Sequence, residues 1–344
     1  MQPVIKIGTR ESELAVWQAT QVKNDLEQRG YATSLVYIKS EGDIDLQTPL
    51  YEMGVQGIFT RSLDIALLSG KIDIAVHSMK DVPTQFPIGI VQAAILKRGN
   101  YRDLFVINES MCQLLMVNGE NAQLPSEYDE FIHSLKSKEI SPRPNGSSGR
   151  AFPIHHLPVF IATSSIRRKA QWLHRYPNHT IENLRGNINT RMRKVGESNW
   201  HGAVFAAAGL ERINLRPQNS IELDWMLPAP AQGAIMLVCR ENDKELLNVC
   251  AVLNHEPTAT CTKMERDFLR QLLGGCSTPI SALAEICQDE IYFKGNIYSI
   301  DGKQKVEIEK SISKKNAEGF GKQVAIELYN NGGKEIADAI RNKQ

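Results

Sequence analysis

Short apolar runs of strand character alternate with amphipathic helices from the first residues of this chain. "VIKIG" (4–8) reads as a strand. The helix after it places Ala15, Ala19, Val22 and Leu26 on one face at three- and four-residue spacing and ends at Gly30. "SLVYI" (34–38) is a second strand, "FTRSLDIALLSG" (59–70) a helix closed by Gly70, and "IDIAVHS" (72–78) a third strand. Such alternation leaves a chain few folds, because strands separated by helices pair in parallel in a doubly wound sheet. Ligands of these sheets sit at the carboxyl ends of the strands. "DIAVHSMKDVP" (73–83) delivers Ser78, Lys80 and Asp81 at such an end, a cation and a carboxylate side by side before a proline.

The alternation resumes near residue 158. "PVFIATSS" and "TIENLRG" read as strands, "IRRKAQWLHRY" and "INTRMRKVG" as helices, and "GAVFAAAGLERI" as a strand running into a helix. "IGTRES" (7–12) and "IATSSIRR" (161–168) both run from a strand through Thr and Ser into a helix, the mark of two similar lobes. After the long helix of "HEPTATCTKMERDFLRQLLGG", three consecutive strands, "SALAEIC", "EIYFKGNIYS" and "KVEIEKSIS", are joined by turns. They predict a small α+β domain with an antiparallel three-stranded sheet. The expected division is 1–105 with 230–252 as the first α/β lobe, 106–229 as the second, and 253–344 as the third domain. The connection 41–59 reads as a lid. Residues 108–157, with the aperiodic "SPRPNGSSGR", read as an atypical mobile insertion or linker.

At 344 residues with 40 basic and 39 acidic side chains, net +1, the chain has no global field to recruit nucleic acid or an anionic membrane. Basic runs with interleaved aromatics are missing as well. No apolar stretch approaches a membrane span, and the N-terminus lacks a signal-peptide pattern. Six dispersed cysteines without a C-x-x-C pair suit reduced thiols and a cytoplasmic location. Monomer is the default for a self-contained three-domain chain.

A local cationic site is therefore the feature to explain. Arg167 and Arg168 open a helix after the T-S-S turn, Arg185 follows a strand, Arg191 lies six residues on, and Arg212 ends the next β–α segment. Arg10 and Ser12 occupy the equivalent junction of the first lobe. Strand-to-helix junctions favour anions through free N–H groups and the helix dipole, and guanidinium forks fit carboxylates. Each arginine taken singly reads as solvated surface; together they predict a polyanion site. G-x-x-x-x-G-K-[ST] and G-x-G-x-x-G are both absent, so several carboxylates fit better than a nucleotide. In a ring of cations Asp81 is either a countercharge or the group that stabilises positive charge on the ligand. Cys276, in "LLGGCSTPIS" between two glycines and a proline, is accessible as a nucleophile or attachment point, whereas Cys239 and Cys287 read as buried structural cysteines. His155 and His156 fall in the irregular segment, and no metal site is expected there.

"GTRESELAVWQ", "DIAVHSMKDVP", "ATSSIRR", "LRGNINTR", "AAAGLERI", "PAQGA" and "LLGGCSTPI" occur here in the order found in the porphobilinogen deaminase (hydroxymethylbilane synthase) family, which the chain resembles throughout except 108–157. The resemblance implies two periplasmic-binding-protein-like lobes facing a cleft. It implies a third domain whose Cys276 carries a dipyrromethane cofactor by thioether. Four porphobilinogen molecules then add head to tail with loss of ammonia, and hydrolysis frees a linear tetrapyrrole precursor of haem. By the same resemblance Asp81 is catalytic, stabilising the cationic azafulvene left when ammonia departs. Arg10, Ser12, Ser78, Lys80, Thr163, Ser165, Arg167, Arg168, Arg185, Gly186, Asn187, Arg191 and Arg212 hold cofactor and substrate. Asp43 and Phe59 match positions in and beside the lid, and Gln232 a hinge glutamine. Gln56 and Glu52 stand where lysines are common in the family's lid. The rival reading is a two-lobed polycarboxylate-binding or sensor protein, which needs neither Asp81 nor Cys276.

Overall fold

The computed structural model describes residues 4–39, 60–110, 131–136, 159–272 and 278–341. The lid residues Asp43, Glu52, Gln56 and Phe59, the histidines 155 and 156, and Cys276 lie outside them.

The first lobe is built on β1 (Ile5–Thr9), β2 (Thr33–Tyr37), β3 (Ile74–Ser78), β4 (Ile90–Ile95) and β10 (Ile235–Arg240), in the order β2-β1-β3-β10-β4. Helices α1 (Glu13–Glu27), α2 (Arg61–Leu68) and α6 (Lys244–Ala251) cover its faces. β3 is central, and Ile74, Ala75, Val76 and His77 are all buried, as a strand covered on both faces requires. The sheet is not wholly parallel: β2, β1 and β3 run together, but β10 is antiparallel to β3 and β4. β10 arrives from the other lobe, so its direction is set by the crossing and not by a local helix.

The second lobe holds β5 (Asp103–Ile107), β6 (Phe160–Ala162), β7 (Thr180–Glu182), β8 (Gly202–Ala206) and β9 (Ile221–Glu222), in the order β7-β6-β8-β5-β9. Here β5 is the antiparallel strand, paired with β8 and β9. The duplication read from two short motifs thus extends to a shared strand order, with an antiparallel strand fourth in each sheet. Helices α3 (Ile166–Arg175), α4 (Ile188–Glu197) and α5 (Ala207–Arg212) complete the unit. Because β5 begins at Asp103, the chain enters the second sheet before the expected division at 105/106.

The reading of 108–157 as a mobile insertion requires correction at residues 131–136. They are helical, and Phe131 and Leu135 are fully buried beside Phe105, Trp172 and Tyr176. Trp225 Nε1 donates to Leu135 O at 3.2 Å. This piece is core of the second lobe, and burying two large apolar side chains is what holds it there.

The third domain packs α7 (Glu256–Leu272), α8 (Phe320–Leu328) and α9 (Lys334–Arg341) on the antiparallel sheet β11 (Ile280–Cys287), β12 (Glu290–Tyr298) and β13 (Lys305–Ser313). Phe268 and Phe293, ring centroids 5.1 Å apart, centre its core. Cys239 is buried as expected, but Cys287 is exposed, because β11 ends there at the hairpin turn into β12.

Candidate active site

β3 ends at Ser78, and a single 3-10 turn, Met79–Asp81, follows it. Met79 is buried and anchors the turn, while Asp81 is exposed. Ser78 is held from α1, its Oγ accepting from Gln18 Nε2 at 2.9 Å. The turn is also held from the third domain. Arg266 of α7 donates to the carbonyls of Met79, Val82 and Pro83 at 3.3, 2.8 and 2.6 Å. From Arg266 to Leu272, the last residue of α7, is about 9 Å of helix rise.

Opposite stands the cationic wall of the second lobe. Ser165 caps α3, accepting from the Arg168 N–H at 3.5 Å, and Thr163 Oγ1 accepts from the Ser165 N–H at 3.2 Å. Asn187 caps α4, accepting from the Thr190 N–H at 2.9 Å. Gly186 has φ of +112°, and a Cβ there would lie 2.7 Å from Thr190 Cγ2, so the tight turn before α4 requires glycine. Arg191 Nε donates to Gly186 O at 2.7 Å. Ser12 is the residue before α1, with no side-chain capping bond.

The charges of the two lobes meet. Burial foremost, with the like charges of Arg168, Arg185 and Arg10, lowers Arg191 to about 10 against the opposing pull of Asp81. Burial likewise lowers Lys80 to about 8; Asp81 and Asp103 favour its ammonium, and Arg168 and Arg167 oppose it. His77 is driven down to about 4 by burial and by Arg10, so it stays neutral behind the site. Arg10, Lys80 and Asp81 of one lobe therefore share a field with Arg167, Arg168, Arg185 and Arg191 of the other. Positive charge is in excess there, and a polycarboxylate would neutralise it.

Arg212 requires a correction. It does not stand at a strand-to-helix junction but in the last turn of α5. Its Nη2 donates to Gly233 O at 2.6 Å and its guanidinium lies 5.7 Å from the ring of Trp17 on α1. These are contacts of the hinge, where two segments cross between the lobes. Gly233 (φ +87°) faces Gly99 O, 2.8 Å from where a Cβ would stand. Gln232, buried, donates to Tyr101 O at 2.7 Å and to Asp103 Oδ1 at 2.9 Å.

Arg167 and Arg168 are also more deeply placed than solvated cleft arginines would be. Both are buried, and both pair with Asp103, at 2.8 and 2.7 Å. Arg167 Nη1 donates to Leu227 O at 2.7 Å, and Arg168 Nη1 to Val204 O at 3.0 Å. Arg167 Nε remains a buried donor with no acceptor among the described residues.

Sequence reading overlooked Asp103, Glu265 and Arg266. Glu265 lies on the apolar stripe of α7 among Cys261, Met264, Phe268, Leu269 and Leu272. A carboxylate at a stripe position is the signal that could have found it.

Two α/β lobes joined by two crossing segments, a cationic wall facing Asp81 and an appended α+β domain define a polycarboxylate-handling cleft protein. Residues 5–248 match the family described as "Porphobilinogen deaminase, dipyromethane cofactor binding domain", and residues 259–330 match "Porphobilinogen deaminase, C-terminal domain". A "Porphobilinogen deaminase" of Pelobacter propionicus (strain DSM 2379 / NBRC 103807 / OttBd1) is 35% identical over 99% of this chain and 98% of its own length. The chain belongs to the porphobilinogen deaminase family. Among solved structures, a Bordetella pertussis BvgS VFT2 domain is 12% identical, covering 73% of this chain and 86% of its own, with a TM-score of 0.38. An ancestral cationic amino acid solute binding protein is 12% identical over 73% and 87%, with a TM-score of 0.39. Among the described residues no helix is long and apolar enough to cross a membrane, and no cluster of ligating side chains could hold a metal ion.

Proposed function

We propose that this protein is an enzyme that joins four porphobilinogen molecules head to tail and releases hydroxymethylbilane, a transferase of tetrapyrrole biosynthesis acting as a monomer. The reading rests on one observation: Asp81 is exposed at the end of a central strand, within electrostatic reach of Arg191 and Lys80. A binding protein would gain from cations alone and would lose affinity for carboxylates to such a group. A catalyst that generates positive charge needs it.

A dipyrromethane on Cys276 would supply the nucleophilic pyrrole carbon to which each substrate is joined. The wall fits it, since Arg191 and Lys80 both carry charge that burial and like neighbours disfavour. Arg10, Arg185, Arg191 and Lys80 bind and orient acetate and propionate groups. Arg167 and Arg168 keep the wall cationic from behind, and Ser12, Ser78, Thr163, Ser165, Gly186 and Asn187 shape the junctions that present it. Arg212 and Gln232 act at the hinge, while Asp43 and Phe59 belong to the lid.

The substrate's aminomethyl group leaves from its protonated, ammonium form: the C–N bond breaks with the electron pair going to nitrogen, and neutral ammonia departs. The remaining cation is stabilised by the Asp81 carboxylate, aimed at the pyrrole N–H. A new C–C bond forms, and the proton displaced from the attacked carbon is accepted nearby, a role open to Asp81. Water ends the sequence by hydrolysis.

Intact-mass measurement of purified protein tests this reading. The wild-type chain should carry an adduct of two pyrrole units that is absent from Cys276→Ser; unmodified wild-type protein from cells supplying porphobilinogen would refute it. A second measurement concerns pH. In Cys276→Ser, which binds substrate without bonding it, porphobilinogen affinity should fall above pH about 8 as Lys80 loses its proton. The fall is limited to about tenfold per pH unit for one proton. Lys80→Arg, charged throughout, should hold its affinity flat across that range, and an identical decline in both proteins would remove Lys80 from the site.

A further inference from the structure

We infer that Asp103 is a positioning residue of the cleft: its single carboxylate sets where Arg167 and Arg168 stand opposite Lys80 and ties both to the hinge through Gln232. The inference rests on the proposed reading of the cleft as the porphobilinogen site. Asp103 is completely buried. Its Oδ2 accepts from Arg167 Nη2 at 2.8 Å. Its Oδ1 accepts from Arg168 Nε at 3.0 Å, Arg168 Nη2 at 2.7 Å and Gln232 Nε2 at 2.9 Å. The other acceptors of these guanidiniums are main-chain carbonyls, of Leu227 and Val204. Among the described residues Asp103 is thus the one anion that two adjacent buried cations share.

Its own position is over-determined. It is the first residue of β5, paired with Ala206, and its carbonyl accepts from the Leu223 N–H at 2.9 Å. A rigid sheet therefore aims the carboxylate, and the carboxylate aims the arginines, whose long side chains would otherwise choose among many rotamers. Two cations against one anion leave the group net positive, enough to attract a carboxylate without the full repulsion of the pair.

The same carboxylate reaches across the cleft. Among the described residues the charges acting on Lys80 are Asp81, Arg168, Asp103 and Arg167, so removing the Asp103 charge leaves two of these guanidiniums opposing the ammonium and, of these carboxylates, Asp81 in support. Burial alone would raise the Asp103 carboxyl, yet Arg167 and Arg168 hold it down at about 2, so it remains ionised wherever the enzyme works. An effect on the titration of Lys80 is what separates positioning from mere bracing of the fold.

Asp103→Asn is nearly isosteric and keeps one acceptor oxygen. In the Cys276→Ser background, its porphobilinogen affinity at neutral pH should drop about tenfold or more. The alkaline decline should also begin at lower pH than with Asp103 intact. With Cys276 present, intact mass should show chains mostly lacking the two-pyrrole adduct. A folded Asp103→Asn, judged by circular dichroism, with unchanged affinity, decline and adduct overturns the inference. Should that variant not fold, Asp103→Glu retains the charge one methylene further out. It should keep the alkaline decline at its original pH while binding more weakly, and undiminished binding overturns the inference equally. Adduct missing from wild-type chains would instead refute the function itself.

Discussion

Asp81→Ala should leave the chain folded and its two-pyrrole adduct in place while turnover falls by about 10²- to 10³-fold, the scale of losing one group aimed at developing charge. The side chain is exposed and lies in a turn whose anchors are Met79 and the Arg266 bonds to main-chain carbonyls, so little folding energy depends on it. Its removal also takes away a negative charge that acts on Arg191, so binding of substrate carboxylates should hold or strengthen. The predicted signature is a collapse of kcat with KM unchanged or lower. Asp81→Asn keeps shape and should behave almost as badly, because the lost property is charge. Turnover within threefold of wild type, about 0.7 kcal/mol, would mean the aspartate is only a countercharge.

Glu265→Ala should produce the largest loss of stability. Glu265 is fully buried on α7, and its carboxylate ties the hinge side of the first lobe to the third domain. Arg98 pairs with it through two bonds of 2.7 and 3.1 Å, the Ala231 N–H donates at 2.6 Å from the hinge, and the Ala284 N–H donates at 2.8 Å from β11. Ala231 has φ of +61°, a left-handed conformation that a non-glycine residue keeps only when its surroundings hold it. Breaking a buried ion pair from one side costs roughly 3 to 5 kcal/mol. In a chain of this size that corresponds to a melting temperature lower by roughly 10 °C. Thermal unfolding by circular dichroism measures it, and a shift below about 2 °C would show that the clasp contributes little. Glu265→Gln keeps one acceptor but not the charge and should fall between the two.

Much of the site was legible before any coordinates. β3 announces itself as an unbroken apolar run, and the proline at 83 marks its stop, so Lys80 and Asp81 could be placed at a strand end from local pattern alone. The T-S-S and G-N motifs before α3 and α4 are capping signals, and the structure uses Ser165 and Asn187 as caps. Arg212 was rightly read as the end of a β–α segment but wrongly grouped with the strand-to-helix junctions, because a helix six residues long offers no periodicity to separate its start from its end. Residues 131–136 were missed because one helical turn inside a polar, aperiodic stretch gives no pattern, although it buries Phe131 and Leu135. Cys287 was taken as buried because its strand is apolar, but the hairpin turn beside it leaves that end exposed.

Alternation of strand and helix, capping residues and the order of the motifs by themselves determined two α/β lobes, a third α+β domain and a carboxylate at a strand end. These depend on neighbours within a few residues along the chain. Which charges pair was decided only by tertiary structure. Arg167 meets Asp103 across 64 positions and Arg98 meets Glu265 across 167. A guanidinium takes any carboxylate that the fold brings within reach, and in a low-dielectric interior an unpartnered charge is too costly to leave. The chain crossings between the lobes, and not local sequence, therefore chose the partners.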